Sequence, residues 1–275
     1  LNSKVGFVFF RRFSRINTDG RMGRRLATAL QELGPTFIKL GQAMSVRPDL
    51  VGEDMANDLS MLQDRLPPFS SEEAKAVVEE EFGLPVTELF RQFDEQPIAA
   101  ASIAQVHFAI TTEGREVAVK VLRPGIEERF RGEIDLLYWL ARIVERYRPK
   151  LRRLNPIAVV STFEQAVMLE MDLSFEGAAA SELRENFLDD PQFRVPQVDW
   201  VRTTRRVLTT DRVDGLSIDE VEALEEAGHD VERILTSSAN AFFNQVFRDG
   251  FFHADMHPGN MFVSPDGTLM PVDFG

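Results

Sequence analysis

Three oxygen-bearing side chains near the end of the sequence, Asp255, Asn260 and Asp273, are of the types that bind magnesium together with phosphate groups. Carboxylate and amide oxygens are hard ligands, which Mg²⁺ prefers, and they leave coordination positions for phosphate oxygens. Asp255 and Asn260 are five positions apart, and His253 precedes them. We therefore expect Asn260 and Asp273 to hold Mg²⁺ and Asp255 to act beside the terminal phosphate.

A lysine on a predicted strand supplies the cation that phosphoryl transfer needs. Residues 116–122 alternate, with valines on one face and Ala118 and Lys120 on the other. Alone, this pattern also fits a surface lysine on an edge strand. Val-Ala-Val-Lys, the loop at 253–260 and Asp-Phe-Gly at 273–275 nevertheless follow the order of a protein kinase. The sequence thus predicts an α+β, protein-kinase-like fold that binds ATP or ADP with Mg²⁺.

The elements around these residues suggest three regions. We expect a helical extension over 1–90, an N-lobe with inserted helices over 91–215, and the start of a C-lobe over 216–275. In the first region, a helix over 21–46 is interrupted at Gly34-Pro35, and Ser70 with Glu73 forms a capping box. The other predicted elements are helices over 50–66, 127–146, 156–186 and 231–248, strand pairs at 98–110 with 116–122, 195–200 with 205–213 and 260–263 with 269–272, and a capping box at Ser217 and Glu220.

Composition limits the classes of function. The 275-residue chain has no cysteine, which excludes disulfides, thiolate catalysis and Cys-ligated zinc, and its net charge of −13 argues against nucleic acid as a partner. Residues 1–25 carry seven basic residues against one acidic residue. This end lies either on an anionic membrane or against the acidic body. We expect a cytoplasmic protein, peripheral at the inner membrane in a bacterium or at an organelle's inner membrane in a eukaryote, and a fragment of a longer chain.

Four blocks resemble the UbiB-type atypical kinases, a family associated with ubiquinone biosynthesis. They are Phe37-Ile38-Lys39-Leu40-Gly41-Gln42 (the K-x-G-Q motif), the alanine-rich Ala99-Ala100-Ala101-Ser102-Ile103-Ala104-Gln105-Val106-His107, Glu170-Met171-Asp172 (E-x-D), and 253–260 with Asp273-Phe274-Gly275. The resemblance implies that the loop Ala99, Ala100, Ala101 and Ser102 covers the nucleotide in place of a glycine-rich loop. Methyl groups hold the backbone farther from phosphates than glycine does, so we expect an altered nucleotide preference and suppressed ordinary kinase activity.

The resemblance also implies roles for residues outside the catalytic loop. Glu170 would orient Lys120, and Glu176, about 600° farther round the same predicted helix, would have another partner or a solvated position. Lys39 and Gln42 would point into the nucleotide pocket; alternatively, Gly41 permits close helix packing and they merely flank it. The backbone from Asp211 to Val213 would bond the adenine.

These residues leave three functions open. The leading one is an Mg-dependent atypical kinase or ATPase that supports ubiquinone (polyprenyl quinone) biosynthesis, with quinone-biosynthesis proteins or a prenylated lipid as partners. The second is a nucleotide-gated protein that binds such a lipid or complex without transferring phosphate. The third is a metal hydrolase that uses His253, Asp255 and His257 as ligands.

Overall fold

The computed structural model describes residues 21–62, 67–253 and 256–274, and at positions 150 and 151 the backbone only. Two expectations fall outside the described residues. These are the role of Asp255 and the membrane contact of the basic end, most of which lies in residues 1–20.

The secondary structure is mixed, with helices grouped before, between and after the strands. The helices are α1 (Met22–Leu33), α2 (Pro35–Ser45), α3 (Pro48–Val51), α4 (Glu53–Leu59), α5 (Ser71–Phe82), α6 (Val86–Leu89), α7 (Ile126–Tyr147), α8 (Pro156–Glu170), α9 (Leu173–Asn186), α10 (Val221–Glu226) and α11 (Val231–Phe243). The strands are β1 (Phe90–Phe93), β2 (Ala99–Ala100), β3 (Ala104–Thr111), β4 (Glu116–Leu122), β5 (Val207–Asp211), β6 (Leu216–Ser217), β7 (Met261–Val263) and β8 (Leu269–Pro271). Short 3-10 helices cover Pro149–Leu154, Trp200–Arg202 and Pro258–Asn260, and a π-helical turn at Asn244–Asp249 continues α11.

The chain forms two compact units, each built from separate stretches of sequence. Among the described residues, the first unit takes those up to Pro68, Ala100–Ala104 and Gly125–Met168, and the second takes Phe69–Ala99, Gln105–Pro124 and those from Leu169 onward. Contacts place α5 and α6 in the second unit, although the sequence grouped them with the first 90 residues. The division at 90 and 215 stays a prediction.

The helices of the first unit meet through small residues. Gly34 separates α1 from α2 at φ +120°, a conformation that favours glycine, and Pro35 then opens α2 as predicted. The guanidinium of Arg129, on α7, donates to the carbonyl of Leu33 at 3.1 Å. Gly41 on α2 is buried, and a Cβ there would stand 2.2 Å from a methyl carbon of Leu62. The close packing of α2 therefore depends on Gly41.

Two sheets form the frame of the second unit. The larger runs β1-β3-β4-β5 with β2 beside β3, and the smaller runs β6-β7-β8. Val117, Val119 and Val121 are fully buried and pack with Val77 and Val78 of α5. The predicted capping box starts that helix, because Ser70 Oγ accepts from the N–H of Glu73 at 3.2 Å and Glu73 Oε2 accepts from the N–H of Ser70 at 3.0 Å.

Several predicted elements differ from the structure. The predicted helix over 50–66 is not continuous, because α3 ends at Val51, Gly52 follows with φ +88°, and α4 ends at Leu59. The single helix over 156–186 is broken at Met171-Asp172, because the Asp172 side chain accepts from the N–H of Ser174 at 3.1 Å and caps a new helix. Residues 195–200 are not a strand, since Val198 forms only an isolated bridge with Thr210. Glu220 accepts from the N–H of Ser217 at 3.0 Å, but the helix begins only at Val221, so this pair closes a turn instead of capping a helix.

No helix in the described part of the chain is both long and apolar enough to cross a membrane.

Candidate active site

Lys120 is the centre of the site in the second unit. It lies on β4 opposite Leu208 of β5, and its side chain is 19% exposed. Its ammonium group donates to both carboxylate oxygens of Glu176 at 2.8 Å and to Oδ1 of Asp273 at 2.7 Å. One cation is therefore held between two carboxylates from distant parts of the sequence.

These charges shift each other's ionisation. Burial alone would lower the pKa of Lys120, but Glu176 and Asp273 together raise it above its ordinary value. Burial raises the pKa of Glu176, and the charge of Lys120 opposes that rise. Lys120 consequently stays protonated at neutral pH.

The lysine's carboxylate partner differs from the one expected. We expected Glu170 to pair with Lys120, but Glu176 forms the ion pair. The reason is the break at Met171-Asp172: Glu170 ends α8, whereas Glu176 lies in the first turn of α9, with its side chain 7% exposed. The angle argued from one continuous helix does not apply, because the helix is not continuous.

The predicted metal ligands lie at the open end of the β7–β8 hairpin. The N–H of Val272 donates to the carbonyl of Asn260 at 2.8 Å. Because Val272 directly precedes Asp273, this bond brings the backbone of Asn260 close to that of Asp273. Asp273 has φ +62°, a left-handed conformation that is rare for a residue with a side chain. The N–H of Phe274 donates to Glu176 Oε1 at 3.3 Å, so this bend is tied to α9. An amide oxygen and a 52% exposed carboxylate form a donor set of the kind that Mg²⁺ takes.

The two histidines near this hairpin have separate local contacts. His253 is buried, and its ring lies 5.2 Å from that of Phe274. The backbone N–H of His253 donates to Gln245 Oε1 at 2.8 Å. Nδ1 of His257 accepts from the N–H of Gly259 at 3.1 Å, within a turn. Across the described ranges, no group of three or more histidine, aspartate or glutamate side chains is arranged to hold a metal ion. The histidine-ligated metal centre therefore gains no support from these ranges.

The alanine-rich loop contains a turn that is held by a hydrogen bond within the loop. The N–H of Ala101 donates to the carbonyl of Ala104 at 2.8 Å, so this amide serves the turn. Ala99 is exposed, Ala100 and Ala101 are half-buried, and Ser102 is fully buried. The Ser102 hydroxyl has no hydrogen-bond partner among the described residues. Contact between this loop and a nucleotide stays a prediction.

The K-x-G-Q residues lie on α2 of the first unit. Lys39 and Gln42 are half-buried, on either side of the buried Gly41. Close packing at Gly41, one of the two interpretations, is present in the structure. The other interpretation, that Lys39 and Gln42 point into a nucleotide pocket, stays a prediction.

Comparison with known proteins adds a family to this geometry. The family model described as "ABC1 atypical kinase-like domain" matches residues 61–275. The chain belongs to the ABC1 atypical kinase-like family. The UbiB-type resemblance and the kinase-like α+β fold are thereby confirmed.

The relatives of this ABC1 chain include curated bacterial proteins. It is 47% identical over 257 residues to a "Probable protein kinase UbiB" of Marinobacter nauticus, covering 92% of this chain and 47% of the relative. A protein of the same name from Pseudomonas aeruginosa is 47% identical over 249 residues, covering 90% and 47%. The chain thus spans about half the length of these relatives.

A solved structure also resembles this ABC1 chain. The Rv3197–erythromycin complex from Mycobacterium tuberculosis matches with a TM-score of 0.65 and 28% identity, over 100% of this chain and 66% of that one.

The predicted adenine-binding backbone of the ABC1 chain is partly occupied. The N–H of Asp211 donates to the carbonyl of Gln197 at 2.9 Å, so this amide is not available to adenine, and the binding of adenine by the backbone from Asp211 to Val213 stays a prediction. The cause is the extended segment before β5, which runs beside the strand and forms hydrogen bonds with the backbone of β5. The main chain of Val213 forms no hydrogen bond within the described residues, and Val213 stays a candidate.

A buried polar network on β3 was not predicted from the sequence. Gln105 Oε1 accepts from the N–H of Phe69 at 3.0 Å, and its amide group donates to the carbonyl of Phe69 at 3.2 Å. The same amide lies 2.8 Å from Nε2 of His107, whose Nδ1 lies 2.8 Å from the carbonyl of Asp94. The sequence contains a signal for this network, because Gln105 and His107 are two residues apart on a strand and their side chains therefore lie on the same face.

Proposed function

We propose that this chain binds ATP or ADP with Mg²⁺ and acts on the terminal phosphate, as the nucleotide-binding part of an atypical kinase or ATPase. The observation that carries the proposal is the Lys120 ammonium, held within 2.8 Å of both Glu176 and Asp273. Three charged groups in this arrangement match the parts that phosphoryl transfer requires: a cation for the phosphates, a carboxylate that orients it, and a metal ligand.

Each residue has a defined role in this proposal. Lys120 contacts the α- and β-phosphates, and Glu176 fixes its orientation. Asn260 and Asp273 hold Mg²⁺, which supplies positive charge to the phosphate oxygens when bound. Asp255, outside the described residues, accepts or orients the proton of the attacking hydroxyl or water.

The biological setting belongs to the same proposal. The relatives named "Probable protein kinase UbiB" support a role in ubiquinone biosynthesis. We propose quinone-biosynthesis proteins or a prenylated lipid as partners, beside a membrane and on its cytoplasmic side in a bacterium.

One observation favours a second candidate, a nucleotide-gated binding protein that does not transfer phosphate. In kinases the phosphate-covering loop offers backbone N–H groups to the nucleotide. Here the N–H of Ala101 is already bonded to Ala104. Such a loop suits nucleotide binding that changes the protein's shape more than it suits rapid transfer.

Labelled phosphate distinguishes the two candidates. The intact protein is incubated with Mg²⁺ and γ-labelled ATP, with and without prenylated quinone precursors, and the label is followed. Label on a lipid or protein identifies a kinase, and free phosphate identifies an ATPase. Nucleotide binding with no movement of label identifies the gated binder.

A matched pair of variants tests the site itself. Asp273→Asn should lower turnover by about a hundredfold or more, because it removes a metal-binding charge while asparagine tolerates positive φ. Asp189→Asn is the control, since Asp189 is exposed and lies beyond the end of α9 that is opposite to Glu176. Equal activity of the two variants would refute the assigned site.

A further inference from the structure

A cluster of arginines lies where α7 ends and α8 begins, in the first unit. The five side chains are exposed, and none has a carboxylate within ion-pairing distance in the part of the chain that the structure describes: Arg142, Arg146, Arg148, Arg152 and Arg153. Their polar contacts are few, the clearest being Arg152 Nε to the carbonyl of Glu145 at 2.7 Å. No carboxylate among the described residues pairs with these arginines, although the sequence contains 44 acidic residues.

The local charge contrasts with that of the chain. Residues 142–153 contain six basic residues and one acidic residue, a net charge of +5. Because the whole chain carries −13, the remainder carries −18. On an acidic protein, a concentrated basic surface that is unpaired among the described residues presents a defined attachment site for an anion-rich partner.

Apolar side chains accompany the arginines. Tyr147 is 67% exposed, Trp139 40% and Leu154 39%. The guanidinium of Arg146 lies 5.7 Å from the centre of the Tyr147 ring. Exposed aromatic rings beside arginines are typical of residues at the boundary between lipid headgroups and acyl chains.

We propose that this basic segment, residues 142–153 with Trp139 and Leu154, binds the surface of an anionic lipid bilayer. The arginines would contact phosphate headgroups, and Trp139, Tyr147 and Leu154 would enter the headgroup region. Tyrosine, tryptophan and leucine together favour lipid over nucleic acid, because a leucine contributes nothing to phosphate or base contacts. The inference deepens the membrane part of the proposed function, but it requires neither nucleotide nor phosphate transfer.

Flotation of the intact protein with vesicles tests the proposal. The vesicles are pure phosphatidylcholine, or phosphatidylcholine with about 30 mol percent phosphatidylglycerol, an anionic lipid. We expect binding to the anionic vesicles only, and its loss as salt is raised. The combined variant Arg148→Gln, Arg152→Gln, Arg153→Gln should weaken binding on the order of a hundredfold, from about tenfold or less per arginine.

A control variant removes the same charge elsewhere. Arg91, Arg131 and Arg233 are exposed and form no ion pair with any described residue, so Arg91→Gln, Arg131→Gln, Arg233→Gln should bind the vesicles nearly as well as the wild type. Equal losses in the two variants would show a general charge effect and overturn the proposal. Tyr147→Ser with Leu154→Ser should also weaken binding to the anionic vesicles, because it removes apolar side chains that enter the headgroup region. Thermal melting confirms that each variant is folded.

Two other outcomes are decisive. If the basic segment binds a labelled RNA oligonucleotide while vesicle binding survives its neutralisation, the lipid assignment is wrong and nucleic acid is the partner. If vesicle binding follows the prediction but no phosphate is released or transferred, the lipid surface stands and the proposed enzymatic function fails. The two proposals are therefore tested separately.

Discussion

At the scale of single residues, the two carboxylates on Lys120 differ in exposure. The side chain of Glu176 is 7% exposed and that of Asp273 is 52% exposed. Asp273 can therefore exchange the ammonium group for a metal ion arriving from solvent, whereas Glu176 cannot easily turn away. Glu176 would keep Lys120 in place while Asp273 changes partner.

This difference predicts the effects of two glutamate substitutions. Glu176→Gln should weaken binding of Mg-ATP about tenfold to a hundredfold, because an amide holds an ammonium group less firmly than a carboxylate does. Glu170→Gln should have the smaller effect on this binding, since Glu170 does not form the ion pair. Titration calorimetry measures both variants. A larger loss for Glu170→Gln would restore Glu170 as the lysine's functional partner.

At the scale of elements, local signals were enough for some features and not for others. Gly34-Pro35 and the Ser70–Glu73 box act within one turn, and both were predictable. The break between α8 and α9 was not predicted, because its local signal, the Asp172 cap on the N–H of Ser174, is not accompanied by a glycine or proline. A distant contact also supports the break, since the N–H of Leu173 donates to the carbonyl of Arg205 at 2.9 Å. Glu176 was assigned another partner or a solvated position for this reason, because the angle between it and Glu170 assumed one continuous helix.

The packing of α2 predicts a contrast between two glycines. Gly41→Ala should destabilise the protein by about 1–3 kcal/mol, because the new Cβ would meet methyl groups of Leu62 at 2.2 Å and Leu30 at 2.9 Å. Gly132→Ala, on α7, should stabilise it by about 0.5–1 kcal/mol, since nothing lies within 4 Å of that position. Denaturant unfolding measures both changes. Similar values for the two variants would contradict the close packing of α2.

At the scale of the whole molecule, the balance of charge came from the sequence but its placement did not. The net charge of −13 and the basic character of residues 1–25 both follow from residue counts. Counting could not show which arginines lack carboxylates nearby, because that depends on three-dimensional neighbours. The kinase-like order of motifs was predictable for a related reason: Lys120, Asn260 and Asp273 carry their chemistry in residue type and spacing alone.

Two groups should make the molecule less stable in acid. Burial lowers the pKa of His107, so the folded state resists its protonation; the stability contributed by neutral His107 is complete above the unfolded pKa of about 6.5 and falls as the pH drops below it. Arg202, assisted by Thr111, lowers the pKa of Glu113 to about 2. Its contribution is present above the unfolded pKa of about 4.5 and is lost as the pH falls towards 2.

Melting temperatures across pH measure these contributions. His107→Gln should flatten the decline just below pH 6.5. Glu113→Gln should flatten the decline at lower pH. Glu176 works in the opposite direction, because burial raises its pKa, but its effect cancels when each variant is compared with the wild type. A His107→Gln profile parallel to the wild type would contradict the buried neutral histidine.

The interleaving of the two units has a consequence for how the protein is made. The described residues of the first unit extend to Met168, after two interruptions by the second unit, so the first unit is incomplete on the ribosome until Met168 has been synthesised. By then β1 to β4 of the other unit already exist but lack β5, which arrives at Val207–Asp211. The edge of β4 that pairs with β5 would stay exposed while some 85 further residues are synthesised, which takes about 4–17 seconds at bacterial rates. Nascent chains of this protein are therefore candidates for chaperone protection during that interval.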